Sequence, residues 1–292
     1  MTPERFQEMA ISVCTILHAG CRVNFAEPYS LLRAANVEGT RRLLHFASTG
    51  STKPFHHVSS LGVFDDGDMT AEHVLMEDRV PGFPQTLDDA YSQTKWVSEE
   101  MIREAGRQGL PYTILRPGRI GGHSITGDCP PDDLLWLVVR ASIVAGALPS
   151  LDLPLDVSPV DYVARTIMAI ARGSGATGTA YHLNNVMPAR FADMQNWLKQ
   201  AGYSLPVLAY DRWRSLVFDA LLSSDTETSG KDLLRLLPLL SPNSPDFLKA
   251  AREARADNRN ARMIVNALSL PCCPPIDGSM VTRFLSSLQA RG

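Results

Sequence analysis

The chain opens on a polar stretch, TPERFQEMA, and turns apolar in ISVCTILHAG. Thr2 as a cap and Pro3 in the first turn predict a short helix over 2–10. The apolar run ending in Ala19-Gly20 suits a buried parallel strand and the turn after it. YSLLRAANVEGTRRLLHFAST spaces Leu31, Leu32, Ala35, Leu43 and Phe46 as an amphipathic helix does. Pro54 leads into FHHVSS, a second short strand ending in Ser59 and Ser60, and a polar, acidic loop follows from Asp65 to Gln85. DDAYSQTKWVSEEMIREAG then reads as a helix capped by Asp88 or Asp89 and stopped at Gly106. Pro111 opens a third strand, YTILRPG, ended by Pro117-Gly118.

Short apolar strands alternating with helices predict an α/β fold, a doubly wound parallel sheet covered on both faces. In such sheets ligands bind beyond the carboxyl ends of the strands. Ala19-Gly20, Ser59-Ser60 and Pro117-Gly118 all fall there. After Gly122 the pattern becomes mostly helical. PPDDLLWLVVRASIVAG places Asp132 and Asp133 at a helix N-terminus, where their charge is favourable. Ser158-Pro159-Val160-Asp161 looks like a capping box that starts the helix DYVARTIMAIA. TAYHLNN reads as a strand, and RFADMQNWLKQAG and DRWRSLVFDALL as helices. Residues 223–243 are mixed, 244–268 look helical, and a proline-rich connector, Pro271 to Pro275, precedes a last helix over 278–289.

Composition adds boundaries. With 292 residues, 45% hydrophobic and 20% charged, the chain can bury a sizeable core. A net charge of −3 gives no electrostatic case for nucleic acid or an anionic membrane. Cys14, Cys21, Cys129, Cys272 and Cys273 have neither CxxC nor metal-ligand spacing, which suggests reduced thiols in the cytoplasm and no metal. Neither a signal peptide nor an apolar run of membrane-spanning length is present.

The chemistry centres on Tyr91 and Lys95, four apart and so on one helix face. An ammonium beside a phenol favours the phenolate, which would let the tyrosine trade a proton near neutral pH. That spacing is common on helices. Ser60 could equally bond its own backbone at a strand end, as could Ser59. Asn36 reads as a structural residue bonding a neighbouring backbone, and His18, His56 and His57 also read as structural; His123 and Ser124 could line a substrate channel but read first as structural. Asp132 and Asp133 read as helix-terminal charges, and Arg119 as a cofactor contact or an ion-pair partner.

With Ser60, Tyr91 and Lys95 in place, the chain resembles an extended short-chain dehydrogenase/reductase. More closely it resembles the thioester reductase domains that end nonribosomal peptide synthetases, polyketide synthases and carboxylic acid reductases. The matching stretches are ILHAGCRVNFAEPYSLLRAANVEGTRRLL, KPFHHVSSLGVF, YSQTKWVSEEMIREA, GLPYTILRPGRIGGHSITG and VSPVDYVA, with a looser fit through FADMQNWLKQAGY and CPPID. The resemblance implies a partial NAD(P)-binding Rossmann-like domain over 1–145. It implies a smaller substrate lobe over 146–292, with some strands returning to the main sheet. It casts Ser60, Tyr91 and Lys95 as catalytic, and Ala19, Gly20, Tyr91, Lys95, Pro117, Gly118 and Arg119 as cofactor-binding. NADPH would reduce an acyl or peptidyl thioester, carried on the phosphopantetheine arm of a carrier protein, to an aldehyde or alcohol. The other readings are a different extended short-chain dehydrogenase, of the sugar-nucleotide epimerase or ketone reductase type, and a non-catalytic carrier-docking remnant.

One part of the family pattern is missing. The pattern begins with a strand and a GxxGxxG turn that holds the cofactor pyrophosphate. The first 50 residues here contain only Gly20, Gly39 and Gly50. The run CTILHAG matches the family's fourth strand, so the first strands and the 2′-phosphate-reading segment are expected to be absent. The chain is then a fragment, a split or inactive product, or a protein completed by a missing N-terminal segment, a partner or upstream synthetase modules. The expectation is that it binds NADPH very weakly by itself.

Overall fold

Four apolar segments lie side by side as a parallel sheet: β1 (Ile16–His18), β2 (Phe55–Val58), β3 (Tyr112–Pro117) and β4 (Thr179–Leu183), in that spatial order. Ile16 registers with Phe55, Phe55 with Tyr112, and Thr113 with Thr179, every pair parallel. The computed structural model describes all residues except 1, 25–26, 65–73, 84–86, 88, 131–132, 152, 174–177, 224–254 and 291–292. Parts of the expected acidic loop and of the 223–243 and 244–268 segments, with Asp88 and Asp132, lie outside the described residues. The described chain forms two compact units. The first comprises 1–118, 162–186 and 254–272, and the second 119–161, 187–253 and 273–292.

The first unit holds the sheet with helices α1 (Pro3–Ser12), α2 (Tyr29–Ala47), α3 (Ala90–Arg107), α4 (Val160–Arg172, from Tyr162 onward) and α5 (Arg259–Ala267). Its apolar core includes Leu44, Ala47, Phe55, Ile102 and Ile114. Thr2 Oγ1 caps α1 by accepting from Arg5 N at 3.3 Å. α1 runs through Ile11 and Ser12, so the strand is shorter than the apolar run suggests.

α2 buries a different face from the one expected. Leu31 and Ala35 are exposed, while Leu32, Asn36, Thr40 and Leu44 are buried. The i, i+4 rows still match helical geometry. Polar side chains occupy the middle of the row because they bond to α3: Asn36 Nδ2 donates to Thr94 Oγ1 at 2.9 Å, and Thr40 Oγ1 donates to Ser98 Oγ at 3.4 Å.

Asp89 is the α3 cap, accepting from Ser92 N at 2.7 Å. Gly106 is not the stop. α3 continues to Arg107, and the chain turns at Gly109 with φ +95°. Gly106 serves packing instead: a Cβ there would sit 2.1 Å from Tyr112 Cε1.

The second unit packs helices Leu134–Ala145, Met194–Gln200, Tyr210–Ser223 and Gly278–Ala290 around Trp136, Leu198, Trp213, Val217 and Phe284. Trp136 and Phe284 meet edge-on at 5.0 Å. Asp133 caps its helix through Leu135 N and Trp136 N. The expected capping box at 158–161 does not form. Ser158 and Pro159 belong to the short strand Val157–Pro159, and the Asp161 carboxylate accepts from Ser124 instead. Of the segment expected to be helical over 244–268, Arg255-Ala256 pairs with Val74-Leu75 and only Arg259–Ala267 is helix among the described residues. Among the described residues no helix is long and apolar enough to cross a membrane.

Candidate active site

Parallel pairing brings the carboxyl ends of β1, β2 and β3 to one edge of the sheet, with Ala19-Gly20, Ser59-Ser60 and Pro117-Gly118 directly beyond them. Ala19 and Gly20 are exposed, Pro117 is buried, and Gly118 N donates to Leu183 O at 3.2 Å. Arg119 opens a short strand, Arg119–Gly121, in the second unit, paired in parallel with Val157–Pro159.

Ser60 lies two residues beyond β2 and caps the 3₁₀ turn Leu61–Val63, its Oγ accepting from Gly62 N at 3.0 Å. Gly62 is needed for close approach, since a Cβ there would lie 2.9 Å from Ser92 Oγ and 3.3 Å from Ser60 Oγ. The Ser60 hydroxyl lies near enough to the Tyr91 phenol to act on it, lowering it. Lys95 is buried, with Nζ 5.8 Å from the centre of the Tyr91 ring and donating to Val58 O at 2.7 Å. The three residues named from the sequence as catalytic therefore come together on the strand-end edge.

The electrostatics reverse one expectation. Burial raises the Tyr91 phenol above its ordinary value, reinforced by Cys21 and Asp89 and opposed by Ser60. Desolvation dominates, so Tyr91 holds its proton. Burial also lowers Lys95, against Cys21 and Glu99.

Cys21, which the spacing arguments passed over, lies near enough to Lys95 for the two to act on each other. Its only sequence signal is its place directly after Ala19-Gly20. Burial raises this thiol despite Lys95, so it stays protonated.

Two histidines lie close to the lysine. The His18 and His57 rings are 5.2 Å apart. His18 is lowered to about 4 by burial and by Lys95, and His57 falls well below its ordinary value by burial, Lys95 and His18. Both stay neutral.

Asn36 holds the segment after β1 in place. Its Oδ1 accepts from Arg22 N at 2.8 Å, and its Nδ2 donates to Arg22 O at 3.0 Å and to Thr94 Oγ1. This one amide ties the Arg22 backbone to Thr94, on the turn of α3 carrying Lys95. Asn36→Ala should leave buried polar groups unpaired and cost about 1–3 kcal/mol. Urea unfolding would measure it, and an unchanged midpoint would mean that water replaces the amide.

Glu99 lies one turn after Lys95, and Arg116 lies in the middle of β3. Both are fully buried and paired twice, Arg116 Nε to Glu99 Oε1 at 3.0 Å and Nη2 to Oε2 at 2.9 Å. Arg103 adds a contact to Glu99 Oε2 at 2.5 Å. Burial alone would raise the Glu99 carboxyl, but Arg116 and Arg103 bring it below its ordinary value. Arg116 Nη1 donates to His182 Nε2 at 3.3 Å, while His182 Nδ1 bonds Asp257 O at 2.8 Å. Burial and Arg116 lower His182 to about 3. A charge in the apolar run TILRP was the sequence signal for this network.

The buried histidines set an acid dependence. Unfolded, His18 and His182 take a proton near 6.5; folded, only near about 4 and about 3. Between those values the unfolded chain binds more protons, so stability is full above 6.5 and is lost as pH falls through that window. Each histidine should cost about 1–2 kcal/mol by roughly pH 5. Urea unfolding near neutrality and at that lower pH would read it, and equal midpoints would contradict it.

The described residues fit the nicotinamide end of a dinucleotide. A protonated phenol, a serine hydroxyl and a buried ammonium stand together beside exposed strand ends. Among the described residues no cluster could hold a metal ion.

The profile of a family described as Male sterility protein, an NAD-binding one, matches residues 1–167. The non-canonical nonribosomal peptide synthetase FrzA of Cladobotryum sp is 35% identical over 309 residues, covering 100% of this chain and 29% of that protein. Glycine betaine reductase ATRR of Emericella nidulans is 37% identical over 218 residues, covering 74% of this chain and 17% of that protein. The chain thus spans less than a third of the length of these curated relatives. Among solved structures, the terminal R domain from the myxalamid PKS-NRPS biosynthetic pathway superposes with a TM-score of 0.87 at 37% identity, covering 100% of this chain and 72% of that one.

Proposed function

The chain belongs to the Male sterility protein family of NAD-binding reductase domains, within the extended short-chain dehydrogenase/reductases, and from this we propose that it reduces an acyl or peptidyl thioester to an aldehyde or alcohol with NADPH. The observation that carries the reading is the meeting of Ser60, Tyr91 and Lys95 beyond the sheet's carboxyl edge. Ser60 orients the substrate carbonyl by donating to its oxygen. Tyr91, kept protonated by burial, delivers its proton to that oxygen as negative charge develops there, giving a hemithioacetal whose C–S bond then breaks to release the aldehyde and the pantetheine thiol. Lys95 holds positive charge beside the phenol and meets the nicotinamide ribose. Ala19, Gly20, Pro117, Gly118 and Arg119 border the cofactor. The reduced nicotinamide supplies the hydride when bound.

The proposed partner is a carrier protein whose phosphopantetheine arm delivers the thioester. The residues of 146–292 are proposed to shape substrate choice. A cytoplasmic setting agrees with five free cysteines.

The test is NADPH consumption by the native full-length polypeptide, given a carrier-bound acyl thioester or an NDP-sugar. Oxidation of NADPH with release of aldehyde or alcohol from the thioester alone is expected. Turnover of the sugar nucleotide alone, or of neither, would overturn the reading.

A further inference from the structure

One imidazole of the first unit is buried with nothing to bond. His57, on β2, is 1% exposed, and neither ring nitrogen has a hydrogen-bond partner among the described residues. Ser59 Oγ, two residues on and so on the same face of the extended chain, is buried and unpartnered in the same way. Lys95 lies near enough to His57 to act on its ring. Its Nζ donates to Val58 O, and an ammonium has more N–H groups than that one to give. Bare polar groups inside a protein cost free energy, and their usual answer is an ordered water with about three polar partners.

A second ring continues the row outward. His18 stands opposite His57 in the β1–β2 register, with the two rings 5.2 Å apart. His18 Nε2 is 3.0 Å from Thr40 Oγ1. The other edge of the ring faces Gly20, since a Cβ there would lie 3.6 Å from His18 Cε1 and 3.7 Å from Nδ1, and Gly20 is exposed. The row thus runs from Lys95, beside Tyr91, through His57 and His18 to the surface after β1. Burial keeps both rings neutral. A neutral imidazole has one N–H and one bare nitrogen, so it can take a proton at one and release the other without carrying charge.

We propose that His57 is a positioning residue for the reduction, holding a water against Lys95 through which the proton that Tyr91 spends in each turnover is returned from solvent. This rests on the reductase reading above. The step moves one proton and no electrons. The Tyr91 phenolate, left after the substrate oxygen is protonated, takes a proton from the Lys95 ammonium. The amine takes one from the held water. That water takes the N–H proton of His57, whose other nitrogen takes one arriving from solvent past His18. A half-turn of the ring restores the starting tautomer. Burial lowers Lys95, which favours the release.

Two variants separate relay from mere packing. His57→Phe keeps a ring and removes both nitrogens. His57→Gln keeps a donor and an acceptor that can hold water but cannot pass a proton between them. Each is made in the native full-length polypeptide and given NADPH with a carrier-bound acyl thioester. The first turnover draws on the proton Tyr91 already holds, so both variants should match wild type in a single-turnover burst. Steady-state turnover at low buffer should fall by about a hundredfold, the lower end for a positioned proton-transfer group, and recover as imidazole buffer is added. Wild-type steady-state rates in His57→Phe, full recovery in His57→Gln, or equal losses in burst and steady state would each overturn the relay. A second readout needs no turnover: solvent exchange of the Lys95 ammonium protons, followed by NMR, should slow in His57→Phe. Unchanged exchange would overturn the relay even where NADPH is oxidised. Slowed exchange without any NADPH oxidation would sink the reductase reading and leave the proton path between His57 and Lys95 assigned.

Discussion

Tyr91→Phe should lower thioester turnover by about a hundred- to ten-thousandfold, the range for losing a positioned proton donor. The change removes one oxygen and leaves the ring that packs near Lys95 Nζ. Ser60 Oγ keeps its bond from Gly62 N. The lesion thus falls on chemistry and not on folding. Because the phenol titrates above its ordinary value, it stays protonated throughout the neutral range. Wild-type rate should then show no loss from phenol ionisation there. Single-turnover NADPH oxidation, beside a thermal melt, would measure both. A variant within about tenfold of wild type would remove Tyr91 from the proton path.

Glu99→Gln should cost about 3–5 kcal/mol, as breaking a buried pair leaves a buried charge uncompensated. Arg116 is fully buried, and its two strongest contacts are to this carboxylate. The remaining acceptors, the carbonyls of Glu77 and Arg79 at 3.4 and 3.2 Å and His182 Nε2, cannot neutralise it. The pair joins α3, one turn below Lys95, to β3, which ends in Pro117. Its loss should loosen the helix carrying the acid as well as the fold. Arg116→Met should be similarly destabilising. The double variant Glu99→Leu/Arg116→Met should recover much of the loss, since no charge is then stranded. A double-mutant cycle by denaturant unfolding decides it, and additive losses would show that the residues act independently.

Much of the first unit was legible in the residues. The strands were readable because burial on both faces of a parallel sheet demands continuous apolar runs. Helix starts were readable because Thr2 and Asp89 satisfy orphan backbone donors locally. Boundaries were less readable. Gly106 looked like a stop, but its missing side chain makes room for Tyr112, a contact set by the strand packed against it. Leu31 and Ala35 looked buried, yet α2 turns Asn36 and Thr40 inward because Thr94 and Ser98 on α3 answer them.

The sequence by itself determined the α/β order and the parallel sheet, because periodicity is a local property, while Ser60, Tyr91 and Lys95 were singled out through the resemblance of their stretches to a reductase family. Tertiary structure decided how those groups behave. Burial reversed the direction of the Tyr91 phenol, brought the Cys21 thiol to Lys95, and set a doubly bonded carboxylate beneath that lysine. Desolvation and long-range pairing depend on what surrounds a residue in space, which no stretch of chain encodes alone.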